Sequence, residues 1–174
     1  TTVGADGKLG EELLIDDRTC ECCQTALART ANGLVATYRD RSEGQIRDIA
    51  IARFADGKWS EPRHVAEDNW VFPACPVNGP SLSAKGDTVA IAWFTAPNGE
   101  HRVNVAFSTD AGATWTAPIR VHDDRPLGRV DIELLSGDAA LVSWLATGGR
   151  QAEVRARRVG RSGKVGRSWR VGFS

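Results

Sequence analysis

The feature that most constrains this chain is a repeat. Val3-Gly4-Ala5-Asp6-Gly7-Lys8-Leu9 recurs as Phe54-Ala55-Asp56-Gly57-Lys58-Trp59, as Ser108-Thr109-Asp110-Ala111-Gly112-Ala113-Thr114-Trp115, and in weaker form as Gly160 to Val165. Gly7, Gly57 and Gly163 set a unit of about 50 residues. Each copy leads into a similar stretch, Glu11 to Asp17, Ser60 to Val65, and Thr116 to Val121. A turn that returns at a fixed interval marks a stacked supersecondary unit, and such units bury their apolar faces only against one another.

Between the turns lie short runs with β spacing, bounded by glycine and polar residues. The first full unit predicts strands over Thr25 to Arg29, Leu34 to Arg39, Asp48 to Phe54 and Trp59 to Val65. The second predicts Pro80 to Ala84, Val89 to Thr95, Arg102 to Ser108 and Trp115 to Val121. The third predicts Asp131 to Leu135, Ala140 to Ala146, Glu153 to Val159 and Val165 to Val171. Four antiparallel strands in a unit of this length make a β-propeller blade, so the expected fold class is all-β with about three blades. The second strands, Leu34 to Tyr38, Val89 to Trp93 and Ala140 to Trp144, are near-continuous apolar runs ending in an aromatic, as expected of strands buried on both faces. Tyr38, Trp93 and Trp144 are then equivalent core residues.

Three blades do not close a ring of four to eight. Leu9 to Ile15 reads as the last strand of an upstream blade, which divides the chain into 1–17, then blades 18–68, 69–124 and 125–174. The 174 residues contain no methionine and open on Thr1-Thr2-Val3 with no leader pattern. The expectation is half of a propeller of about six blades, completed by the remaining blades or by a second copy. Lys+Arg and Asp+Glu both number 22, so no bulk field recruits nucleic acid, and no apolar run approaches the ~20 residues of a membrane span.

Ser108-Thr109-Asp110-Ala111-Gly112-Ala113-Thr114-Trp115 fits the pattern Ser-x-Asp-x-Gly-x-x-Trp, and with the repeat period the chain resembles the sialidase-like, Asp-box (bacterial neuraminidase repeat) propellers of exported bacterial type. The resemblance implies that this turn joins the third and fourth strands at the outer edge of a blade, away from the ligand cleft. Ser108, Asp110, Gly112 and Trp115 are therefore structural: Asp110 collects nearby N–H groups, Gly112 supplies a positive φ and Trp115 packs beneath. The implied activity is exo-α-sialidase-type glycoside hydrolysis or glycan binding, in a periplasmic or extracellular setting, with a glycan or other small anionic ligand as partner.

A sialidase-like site needs guanidinium groups to fork a sugar carboxylate, a carboxylic acid, and a tyrosine activated by a glutamate. On the loops expected over the propeller axis, Arg41, Arg47 and Arg129 with Asn78 are the candidate substrate-binding residues, and Asp48 and Asp131 the candidate catalytic carboxyls. Tyr38 aligns with core aromatics and no Arg-Ile-Pro stretch occurs, so the implied site is either a half-site or that of a non-catalytic relative.

All four cysteines fall on two of these loops: Cys20, Cys22 and Cys23 on one, Cys75 on the next, with Cys20 and Cys75 at equivalent repeat positions. They are expected to meet. In an exported protein a bridge from Cys75 to one of the other three is expected and no cofactor is needed; the alternative is a thiolate site for Cu or Zn. His64 and His122 read as surface residues, and the arginines crowding the last 25 residues, Arg155 and Arg157 among them, as a solvated basic edge.

Overall fold

The computed structural model describes residues 1–173. It contains three antiparallel sheets in sequence order. In the first, β1 (Ala26–Thr30), β2 (Gly33–Arg39) and β3 (Ile49–Ala55) run side by side, and the fourth position is shared by β4 (Lys58–Trp59) and β5 (Arg63–His64), which both pair with β3. Pro62 explains the break, because proline has no N–H to give the ladder. The second sheet is β6 (Ser81–Lys85), β7 (Thr88–Thr95), β8 (Arg102–Ser108) and β9 (Ile119–Arg120). The third is β10 (Pro126–Ser136), β11 (Ala139–Gly148), β12 (Gln151–Gly160) and β13 (Trp169–Phe173).

Inner and middle strands fall where the periodicity puts them, within one or two residues, except that β10 begins five residues early. The fourth strands are shorter than expected: Trp115 to Pro118 and Val165 to Ser168 lie outside them. Leu9 to Ile15 forms no strand. Leu9 makes a single bridge to Val3 and Leu13 and Leu14 stay exposed, since no sheet edge among the described residues lies alongside to pair with them.

Sheet 2 is packed on both faces. On β7, Ala90, Ala92 and Phe94 enter a core shared with Ile132, Leu134, Val142 and Trp144 of sheet 3, while Ile91 and Trp93 enter a second core with Ile49, Ile51 and Val65 of sheet 1. The alternation of a strand therefore serves two interfaces at once, and each large side chain buried this way stabilises by roughly 1.5–3 kcal/mol. Sheets 1 and 3 each have one outward face that is only half buried.

The repeat is cemented by polar contacts at matching places. Trp93 Nε1 donates to Asp68 Oδ2 (2.6 Å), Trp144 Nε1 to Asp124 Oδ1 (3.2 Å) and the Tyr38 hydroxyl to Asp16 Oδ2 (2.8 Å). Each terminal aromatic is thus tied to an aspartate from the loop that precedes its blade. The inner strands β6 and β10 are zipped by Ser81 Oγ to Asp131 Oδ1 (2.7 Å) and Ser83 Oγ to Glu133 Oε2 (2.9 Å).

The turn between β8 and β9 is a hydrogen-bonded knot. Asp110 Oδ1 accepts from the Ser108 hydroxyl (2.7 Å) and the Thr114 N–H (2.8 Å), and Oδ2 accepts from the Thr114 hydroxyl (2.6 Å). Gly112 has φ +80°, and a Cβ there would touch Val35 and Trp115. The knot also joins sheets, because Arg53 Nε donates to Ala111 O (2.8 Å) and Arg63 donates to Ala113 O (2.9 Å). Burial would raise the Asp110 pKa, but the bonds from Thr114, Ser108 and Ala113 outweigh it and hold it at about 2. A carboxyl depressed on folding stabilises above its unfolded value and loses that contribution as pH falls through the folded one. In wild type the Asp110 share of stability is therefore lost between about pH 4 and pH 2, and Asp110→Asn is expected to flatten that part of an acid urea-midpoint profile; an unchanged profile refutes the assignment.

Two surface expectations are corrected. His122 is buried, its Nδ1 on Asp124 O (2.9 Å) and its Nε2 accepting from Arg120 (2.8 Å). Arg157 is also buried, paired with Asp123 and bonded to Val121 O, while Arg155 pairs with Asp124 and Glu153. Alternation on β12 turns these arginines toward acids of the 122–125 loop rather than toward water.

Candidate functional site

A cleft of about 520 Å³ opens where loop 69–78, the end of β7 with its following turn, and the start of β10 converge. Its wall is aromatic. Trp70 and Phe72 stack with centroids 5.3 Å apart at 27°, Phe94 meets Trp70 edge-on at 5.7 Å, and His101 meets Phe94 edge-on at 5.3 Å. Amides of Asn69, Asn78 and Asn98 supply the polar part of the lining, and no carboxylate or guanidinium is among the lining residues. His101 Nδ1 lies 2.9 Å from the Pro126 carbonyl, which can only accept, so Nδ1 carries a proton and Nε2 is the ring nitrogen left to accept in that tautomer.

Loop 69–72 has this shape because the carboxylate of Asp48, fully buried, accepts the N–H groups of Asn69 (2.8 Å) and Trp70 (3.1 Å). Arg47, also buried, braces the same loop: its main-chain N–H donates to Trp70 O (2.8 Å), its Nε to Phe72 O (3.0 Å) and a terminal nitrogen to Gln45 (3.1 Å). Beneath lies Arg39, 1% exposed, with its guanidinium carbon 4.9 Å over the Trp70 ring. Arg39 donates to three main-chain carbonyls, Asn78 O (2.6 Å), Phe94 O (2.5 Å) and Arg47 O, and burial pulls its pKa down to about 10.

Of the residues singled out by sequence, Arg47, Asp48 and Asn78 come together around this cleft. Asn78 lines it, and its Oδ1 accepts from the Arg129 N–H (2.9 Å) while Nδ2 donates to Leu127 O (3.3 Å), clipping the bulge of β10. Arg47 and Asp48 act from behind the lining through loop 69–72, and the remaining three also lie outside it. Arg41 pairs with Glu21 (2.9 Å), Arg129 is exposed at φ +53°, and Asp131 holds Ser81 and the Ile132 N–H (2.9 Å). The Tyr38 hydroxyl is committed to Asp16, and burial, then that bond, raises its pKa. Sequence reasoning passed over Trp70, Phe72, Phe94, His101 and Arg39; the signal available was Trp70-Val71-Phe72, an apolar run set in a stretch too polar and proline-rich for a strand.

The cysteines meet beside the cleft. Cys22 and Cys75 form a disulfide with Cα atoms 6.3 Å apart, and Cys20 and Cys23 are free and buried. The Cys20 Sγ lies 2.7 Å from that of Cys23 and 3.5 Å from that of Cys22. Burial, then the contact with Cys20, pushes the Cys23 thiol up to about 11. The bridge joins the loop that enters sheet 1 to the loop that enters sheet 2, as equivalent repeat positions require.

No protein-family model matches the sequence, and a search of curated proteins finds no match. Among solved structures the chain is similar to "Hadza microbial sialidase Hz136", with a TM-score of 0.52 and 17% identity over 83% of this chain. The match spans 37% of that protein, so this chain corresponds to little more than a third of its length. The fold is sialidase-like.

Proposed function

We propose that the chain is the carbohydrate-binding part of an exported, sialidase-like propeller, with the aromatic cleft as its sugar site. The observation that carries this is the lining itself: a half-exposed ring, Phe72, backed by Trp70, with three side-chain amides and the His101 acceptor around it. Aromatic faces take the apolar C–H face of a pyranose, and amides with an imidazole nitrogen satisfy its hydroxyls. The candidate carboxyls support binding over hydrolysis, because Asp48 spends both oxygens on backbone N–H groups and Asp131 straps two inner strands. With no guanidinium in the lining, a neutral sugar fits better than a sialic acid. The disulfide and the fold favour a periplasmic or extracellular setting. The half-buried outer faces of sheets 1 and 3 suit further blades or a second copy.

The test is titration with neutral and sialylated oligosaccharides, together with a fluorogenic sialoside. Neutral sugars are expected to bind in the micromolar to millimolar range, and Phe72→Ala to weaken binding about tenfold, roughly 1.4 kcal/mol. Absence of binding by the intact chain, or equal binding by the variant, refutes the cleft as the site. Turnover of the sialoside that is lost in Asp131→Asn or Arg129→Ala would instead establish hydrolysis at the residues the resemblance singled out.

A further inference from the structure

We propose that Cys20 and Cys23 bind one soft monovalent metal ion, Cu(I), as a dithiolate beside the buried Arg39 guanidinium. The proposal stands apart from the sugar site. Its first support is the donor set. The sulfurs of Cys20, Cys22 and Cys23 all lie within 4.8 Å of one another, and those of Cys20 and Cys23, 2.7 Å apart, fall inside the about 4.6 Å that two metal–sulfur bonds of about 2.3 Å can span. Cys22 is already joined to Cys75, which leaves two thiols, both buried, on a loop stiffened by the Cys23 N–H bond to Cys20 O (3.3 Å) and the Cys20 N–H bond to Arg39 O (2.9 Å). Zn(II) in a closed site takes four ligands, and no histidine stands with these thiols in the cluster. A pair of thiolates without nitrogen or oxygen donors selects a soft d10 ion of low coordination number.

The second support is charge. Arg39 is a buried cation whose three hydrogen bonds all go to neutral carbonyls, a costly arrangement unless an anion stands near. The Cys20 N–H donates to the Arg39 carbonyl (2.9 Å), which sets the thiol loop against this residue. Two neutral thiols give it nothing, whereas binding of Cu(I) releases one proton from each thiol to solvent and leaves a complex of net charge −1. The Asn78 carbonyl accepts from Arg39 Nε (2.6 Å), which ties the guanidinium to a residue of the cleft lining.

The experiment is anaerobic titration of the purified chain with Cu(I) held on bicinchoninate, without thiol reductant so that the Cys22–Cys75 bridge stays closed. The expected result is two titratable thiols on denaturation and transfer of one Cu(I) per chain. Cys20→Ser and Cys23→Ser should each weaken transfer roughly a hundredfold or more. Copper K-edge absorption of the wild-type complex, expected to show two sulfur neighbours, keeps the test independent of how the variants fold. Failure of the intact chain to take copper from the chelate, a thiol count of zero, or a nitrogen and oxygen shell overturns the proposal. So does preferential Zn(II) binding that requires all four cysteines.

Discussion

Arg39→Met is expected to lower the free energy of unfolding by about 3–5 kcal/mol. The guanidinium satisfies the carbonyls of Asn78, Arg47 and Phe94, which belong to three separate stretches of chain, and a methionine leaves all three without it. Each buried acceptor left unpaired costs roughly 1–3 kcal/mol, and loss of the cation from the Trp70 face adds about 0.5–2. Against this, the variant no longer buries a charge, which returns part of the desolvation penalty and sets the net below the simple sum. Arg39→Lys should fall between the two, since an ammonium keeps the charge but lacks the planar fork that reaches three acceptors at once. The measurement is the urea midpoint at unchanged slope, and a shift worth less than about 1 kcal/mol would show that the three carbonyls find other partners.

Loss of the Cys22–Cys75 bridge is the second large effect. The bridge closes 53 residues of chain, and on the chain-entropy account a loop of that length contributes about 4 kcal/mol through the unfolded state. For a domain of this size that amounts to a fall in Tm of roughly 8–16 °C on reduction or in Cys75→Ser. Because Cys75 also lines the cleft, the same change should loosen loop 69–78 and weaken sugar binding together with stability. Equal melting temperatures for the oxidised and reduced chains would mean that the two loops are held by the Gln24 to Gly79 hydrogen bonds (2.8 and 3.2 Å) instead.

These two effects meet at one place, and that place was only partly legible in the sequence. The loops that carry Cys22 and Cys75 could be paired from the repeat alone, because equivalent positions in stacked units are neighbours. Which of three cysteines takes the bridge could not, since three sulfurs sit within a few ångströms of each other and the choice depends on how one turn is rolled. Arg39 gave no local sign of burial. It closes an apolar run and reads as the polar end of a strand, yet the fold covers it with Trp70 from a loop 31 positions away. Asp48 and Arg47 read in the sequence as a catalytic carboxyl and a substrate-binding guanidinium, and the structure spends their hydrogen bonds on loop 69–72.

What the sequence determined by itself was the unit: four strands, a hydrogen-bonded turn at Asp110, an aromatic at the end of each second strand, and a step of about 50 residues. These rest on local periodicity and turn chemistry, which act between residues close in the chain. Only the tertiary structure decided what the loops do once stacked. Offsets of 50 residues put Ser81 on Asp131 and Ser83 on Glu133, and offsets of 55 put Asn32 on Asp87 and Arg39 on Phe94. The same stacking gathers Trp70, Phe72, Phe94 and His101 into one cleft. No window along the chain contains those pairs, because the energy that selects them comes from faces and carbonyls of neighbouring sheets that are adjacent only after folding.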